Sequence, residues 1–385
     1  MLAISALIKA FYSQTFLHLH FQSGIMPAKE PNKTYMRQTI ATFGELLLRL
    51  SPQGTLRLIQ TQNTTATFGG SEANVAVSLA NFGHNVRYLS RVPENNVGRA
   101  CLSTLHQYNV NTEFVALGGP RLGSYYMETA ASLRSSKVVY DREDSSFTQI
   151  EPKMIDWENA FKGADWFHWS GIAAALSDST AECCRVGIDT ARKMGVKLSC
   201  DLNYRKNLWN YGKTYEEVVL PLVNFSDIVF GSDDEYEHLI DMKPGEFQGV
   251  VKTENGYEIN KPLCEKIMKK AKELYPDVKL FACETRRIVS SNHHVNAAIL
   301  YDGKQVYFSR IYDVDNVIDA VGVGDACCAA LLDALSKYGE DYQSVIEFAM
   351  SASALKNTIL GDFNLVSEEE VLTLMGGNTS GRVLR

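Results

Sequence analysis

Between Asp165 and residue 283 the sequence repeats one rhythm, in which a short apolar run is followed by a longer amphipathic stretch and then by another apolar run. The runs "DWFHWSGI", "VKLSCDLN", "DIVFGS" and "VKLFACE" are separated by stretches at helical spacing over 178–194, 214–222, 233–241 and 261–274. Apolar runs this short and this continuous are strands buried on both faces. Strands joined through helices must lie parallel, because each helix carries the chain back across the sheet. The pattern therefore predicts an α/β fold, a three-layer αβα sandwich around a mostly parallel sheet.

The rhythm extends upstream to Thr39. "TIATFGELLLRL" reads as a buried strand reaching a turn, "GGSEANVAVSLANFG" as a helix opened by glycines and stopped by Gly83, and "VRYLSRV" as a short strand. A helix follows over 97–108, and helices over 325–337, 341–357 and 367–374 close the chain. A hairpin is expected around Asp302-Gly303, and 243–259 read as loop. Two segments, about 46–68 and 113–145, switch to a period of two and predict a small β-sheet lid on the main body. The domain is expected over 39–377, with 378–385 as a tail. Residues 1–38 read as an extension, either disordered or preceding a true start at Met26 or Met36, because their apolar part is too interrupted to span a bilayer and lacks a basic leader.

Charge narrows the function. A net charge of -7 without any basic stripe excludes a nucleic-acid face. Eight cysteines show no C-x-x-C spacing, which fits reduced thiols in a cytoplasmic protein rather than a zinc site or a disulfide framework. The pair His293-His294 has no partner at metal spacing and reads as surface loop.

The chemistry concentrates in "DAVGVGDACCAALLDAL", residues 319–335. Glycines let the backbone turn and approach a ligand. The free amides and positive dipole end of a helix start form an anion site. Read locally, Asp325 has two possible jobs, as the cap of the helix or as a base beside a bound phosphoryl group. Two decoys fail: "YGKT" at 211–214 has Asn207 where a P-loop needs glycine, and "GVGDAC" has Cys327 at the third glycine of a dinucleotide fingerprint.

With "GGSEANVAVSLANFG" early and "DAVGVGDA" late, the chain resembles the ribokinase-like sugar kinases of the PfkB family over about residues 39–375. Within that family, "SYYMET", "VVYDRED", "CDLNYRKNLW" and "LKNTILGDFNLVS" resemble members acting on 2-keto-3-deoxygluconate. The resemblance implies a ribokinase-like fold and ATP-dependent phosphorylation of that sugar acid's 6-hydroxyl. The anion hole falls on the backbone of Gly322, Val323 and Gly324, and the base on Asp325. Gly70 and Asn74 are implied at the sugar, Tyr125, Tyr140 and Arg142 at its keto-acid end, and Arg205 at its carboxylate.

For nucleotide and Mg²⁺, "FGSDDEYE" is similar to the family's N-x-x-E region, with Ser232 in place of asparagine and Glu235 as the metal-ordering carboxylate. Lys356 joins the nucleotide set. Arg286 is left to serve the phosphates, since "CETRRIVSSNHH" stands where many relatives have a lysine–glycine loop. The alternatives are a fructokinase or other sugar kinase, which needs no second arginine, and a silent sugar-acid binding protein. A dimer through the lid is expected from its unpaired sheet edges.

Overall fold

The computed structural model describes residues 37–379. Its central sheet has eleven strands among the described residues. Along the main path the order is Val306–Phe308, His293–Tyr301, Leu280–Ser290, Ile228–Ser232, Lys197–Asp201, Trp166–Ser170, Thr39–Phe43, Asn85–Val92 and Val110–Asn111. Pairing is parallel from Leu280–Ser290 across to Val110–Asn111, and antiparallel where Leu280–Ser290 meets His293–Tyr301. Each sheet face carries its own apolar cluster, one with the helices Ser71–Asn81, Val323–Tyr338 and Tyr342–Lys356, the other with Asp178–Lys193 and Lys261–Leu274. This is the three-layer α/β sandwich that the apolar runs predict. No helix of the described residues is long and apolar enough to cross a membrane.

A separate four-stranded sheet, ordered Thr64–Gly69, Leu47–Pro52, Ser124–Glu128 and Lys137–Asp141, forms the lid. Its limits differ from the expected ones. Val115–Leu117 pairs with Ser90–Val92 of the central sheet, so the second lid segment starts later. Gln38, assigned to the extension, already pairs through its carbonyl with the Asn85 amide at 2.9 Å. The rest of 1–36, and 380–385 of the tail, lie outside the described residues.

Three local expectations are corrected. Residues 250–259 form a hairpin, Val250–Thr253 with Gly256–Ile259, rather than a loop. The helix expected over 214–222 is broken into Tyr215–Val218 and Leu220–Val223, because Pro221 lacks the amide to continue it. His293 and His294 lie on a strand, with His294 buried and His293 Nε2 2.6 Å from Asp313 Oδ1. All eight cysteines are buried and unpaired.

Candidate active site

The parallel strands end on one edge, and their carboxyl ends floor a cavity of about 440 Å³ roofed by the lid. Asp201 and Ser232 are the last residues of their strands, as ligand-binding residues of open α/β sheets often are, and Glu284 pairs level with Ser232 within the longer strand Leu280–Ser290. Two helices start at the same place, Ser71–Asn81 from Gly70 and Val323–Tyr338 from Gly322. Gly322 has φ +81°, and a Cβ there would lie 2.0 Å from the Asp362 carbonyl oxygen. A Cβ on Gly70 would lie 2.1 Å from the Glu45 carbonyl oxygen. Only glycine fits either position.

The helix expected from 325 begins two residues earlier, which decides between the two jobs of Asp325. Asp325 lies within the first turn and is not the cap, since Gly322 is. Its Oδ1 accepts from Ser71 Oγ at 2.7 Å and its Oδ2 from Asn74 Nδ2 at 2.7 Å. Enclosure in the cleft raises its pKa, and the hydrogen bonds from Asn74 and Ser71 pull it back down. The first-turn amides of Val323 and Gly324 have no acceptor within their own helix, which leaves them available to an anion.

At the sugar end the predicted residues gather in the cavity wall. Gly70, Asn74, Tyr125, Tyr140, Arg142 and Arg205 all line it. Buried Arg142 donates from Nε to Glu45 Oε2 at 2.7 Å, while its Nη1 is buried with no hydrogen-bond partner. Its guanidinium carbon lies 5.6 Å from the Tyr140 ring centroid. Arg205, more exposed, donates from Nη1 to Glu235 Oε1 at 3.1 Å.

On the opposite side, Ser232 donates from both N and Oγ to Glu235 Oε2, at 2.7 and 3.0 Å. Both oxygens of Glu235 are therefore engaged, one by this capping box and one by Arg205. Asp201 lies close enough for its pKa to be raised, by burial first and then by the charges of Glu235 and Asp325. Arg286 is exposed and lines the cavity from the strand Leu280–Ser290, so "CETRRIVSSNHH" is a β-hairpin and not a loop. Lys356 is the misplaced member of the set. Its fully buried Nζ is 3.1 Å from the Ile359 carbonyl oxygen and 3.5 Å from that of Asp319, and it does not reach the cavity wall. A helix-end lysine with apolar neighbours is drawn inward to orphan carbonyls, a role its sequence position does not reveal.

Several participants carry no signal of their own in the sequence. Arg49 of the lid donates to Asp362 Oδ1 at 2.8 Å and to Asp319 Oδ2 at 2.7 Å, and Tyr125 Oη donates to Asp362 Oδ2 at 2.6 Å. These buried bonds tie the lid to the glycine loop. Ser71, Asp201 and Asn203 also line the site, although Asp201 and Asn203 sit within the "CDLNYR" run that points to Arg205.

The arrangement can hold an anion at a helix start, take a proton on a carboxylate beside it, and pair a cation with an acidic group under the lid. Residues 37–362 match the family model described as pfkB family carbohydrate kinase. The chain is 28% identical over 348 residues to the 2-dehydro-3-deoxygalactonokinase of Haloferax volcanii, covering 90% of this chain and 99% of that protein. It is 23% identical over 319 residues to the 5-dehydro-2-deoxygluconokinase of Clostridium tetani, covering 82% of this chain and 86% of that one. The crystal structure of the 2-dehydro-3-deoxygluconokinase of Thermotoga maritima superposes with a TM-score of 0.81 at 34% identity, covering 89% of this chain and 100% of that chain.

Proposed function

The chain belongs to the pfkB family of carbohydrate kinases, and from that premise we propose that it transfers the γ-phosphoryl group of ATP to the 6-hydroxyl of 2-keto-3-deoxygluconate. The observation that carries the choice of acceptor is Arg142, a buried guanidinium lining the cavity whose hydrogen bond within the described residues runs from Nε to Glu45 and leaves the rest of the fork unpaired. A desolvated donor of that kind needs a ligand acceptor, and a carboxylate matches it in charge and geometry. A neutral hexose does not. The names of the Haloferax and Thermotoga relatives, both 2-dehydro-3-deoxy sugar-acid kinases, support the same class.

Asp325 takes the proton of the sugar hydroxyl on a lone pair left over by Ser71 and Asn74. The hydroxyl oxygen bonds to the γ-phosphorus as its bond to the ADP oxygen breaks. The backbone of Gly322, Val323 and Gly324 holds the charge on the migrating group. No cluster of three or more metal-ligating side chains occurs among the described residues. Magnesium would therefore arrive on the phosphates, keeping water ligands ordered by Glu235, whose oxygens are already engaged, and would neutralise phosphate charge there.

The test is coupled ADP release across 2-keto-3-deoxygluconate, its galactonate epimer and fructose, with wild type and Arg142→Ala. The keto acids should be preferred by wild type, and Arg142→Ala should raise their KM at least tenfold while leaving weak fructose turnover unaffected. Preference for fructose would replace the sugar-acid reading with that of a neutral-sugar kinase. The reading extends to assembly. Lid strand Lys137–Asp141 is exposed along its length, which supports pairing of two copies through their lids, and a monomeric mass in solution would remove it.

A further inference from the structure

We propose that Ser71 is a positioning residue for Asp325, and that Asn203, oriented by Asp201, directs the single Ser71 proton onto the carboxylate. The inference rests on Asp325 being the base. Its evidence is a continuous chain of side chains from three separate elements. Asp201 Oδ2 lies 3.1 Å from Asn203 Nδ2, which lies 2.8 Å from Ser71 Oγ, which lies 2.7 Å from Asp325 Oδ1.

The polarity of this chain follows from donor counts. Asn203 is buried just after the strand Lys197–Asp201, at φ +39°, a left-handed conformation that asparagine tolerates better than most residues. Its amide could point either way. Turned around, its oxygen would face the Asp201 carboxylate and would compete with Asp325 for the Ser71 proton. In the observed orientation the NH₂ group meets two acceptors, and Oδ1 is left buried without a partner. The carboxylate and the hydroxyl, not the needs of Oδ1, therefore set the amide. A serine hydroxyl has one proton. With Oγ accepting from Asn203, that proton has one acceptor left, Asp325.

Ser71 is not occupied with the usual task of a serine at a helix start, since Gly70 is the cap and no side chain caps this helix. Asp325 makes no ion pair among the described residues and is held by two neutral donors, Ser71 and Asn74. That combination suits a base. An arginine or lysine in contact would keep the carboxylate ionised but depress its basicity, whereas two neutral hydrogen bonds offset burial and leave it able to take a proton.

The experiment is the pH dependence of kcat and kcat/KM in the full-length enzyme, for wild type, Ser71→Ala, Ser71→Thr, Asn203→Asp and Asp325→Asn. Ser71→Ala should lower kcat about tenfold with KM for sugar and nucleotide changed less than threefold. Its acidic limb should move up by about one pH unit, the size expected for one lost hydrogen bond to a carboxylate. Ser71→Thr, which keeps the hydroxyl, should return the limb to its wild-type position. Asn203→Asp turns the Ser71 proton away and should move the limb in the same direction as Ser71→Ala. Adding Ser71→Ala to Asn203→Asp should then cost little more, because both act through one bond. An acidic limb unmoved in Ser71→Ala, or additive losses in the double variant, would overturn the proposal while Asp325 stood. Turnover retained in Asp325→Asn would remove the base, and the positioning role with it.

Discussion

The two glycine-started helices at the cleft differ from three helices that begin away from it. Asp178–Lys193 and Glu368–Met375 start from Ser177 and Ser367, each closed by a capping box, and Asn96–Gln107 starts from Asn95, whose side chain accepts two amides. The two helices meeting at Asp325 start from Gly70 and Gly322 and have no side-chain cap. A polar cap stabilises a helix by satisfying its orphan amides, typically by about 1 kcal/mol. Bare glycine starts forgo that and leave amides and polar side chains facing an opening. The helix Asp233–Leu239 lies between these cases, because it borders the cavity yet is closed by the Ser232–Glu235 box. On the proposed reading, its side of the site orders water and charge, and the glycine starts make direct contact.

The sharpest way to break this comparison is at the cleft carboxylate. Asp325→Asn keeps the size but removes the proton acceptor and can accept from only one of Ser71 and Asn74, and turnover should fall ~10²–10⁴-fold with sugar affinity nearly unchanged. Steady-state kinetics with a separate binding titration checks it. Gly322→Ala attacks the backbone instead. A methyl 2.0 Å from the Asp362 carbonyl cannot be accommodated at φ +81°. The loop should shift, with turnover down about a hundredfold or more and a lowered melting temperature. Wild-type kinetics in that variant would mean that the bare start has no functional role.

How much of this was legible in the sequence depended on how locally each feature is encoded. The sandwich was legible because strands buried on both faces are mostly apolar, as Trp166–Ser170 and Ile228–Ser232 are apart from His168 and their terminal serines. The hairpin through 284–294 was not, because its outer half pairs through backbone while carrying Arg286, Arg287 and two serines. Gly322 and Asp325 announced themselves by spacing within one segment. The lid tether joins Arg49 to Asp362 across 313 residues, and no periodicity connects them. Ser71 was hidden for a different reason. Nothing in its own helix marks it until the structure brings the first turn of another helix against it.

Acids in the first turns sharpen the contrast further. Glu369 is exposed near the start of its capped helix, whereas Glu72 is buried beside Ser170 at the start of an uncapped one. A helix N-terminus ordinarily favours the charged form. Burial outweighs that for Glu72 and raises its pKa to about 7, from 4.5. The folded state thus holds this proton more tightly than the unfolded chain does. The resulting stability is complete below about pH 4.5 and is lost as the pH rises through about 7, on the order of 3 kcal/mol in all. Denaturant unfolding from pH 5 to 8 should show that decline, and Glu72→Gln should flatten it.

The smallest effect belongs to the other side of the comparison. Ser177 Oγ caps Asp178–Lys193 through the Thr180 amide at 3.1 Å, and Thr180 Oγ1 accepts from the Ser177 amide at 3.0 Å. Both bonds are internal to the helix start, and neither residue lines the cavity. Ser177→Ala should therefore cost about 1 kcal/mol of unfolding free energy. Turnover, KM and the pH profile should stay at wild-type values, because nothing in the cap points at a ligand. Should Ser177→Ala instead lower kcat with no loss of stability, polar caps and glycine starts would not divide the molecule into scaffold and site. The distinction would then have to be drawn from burial alone.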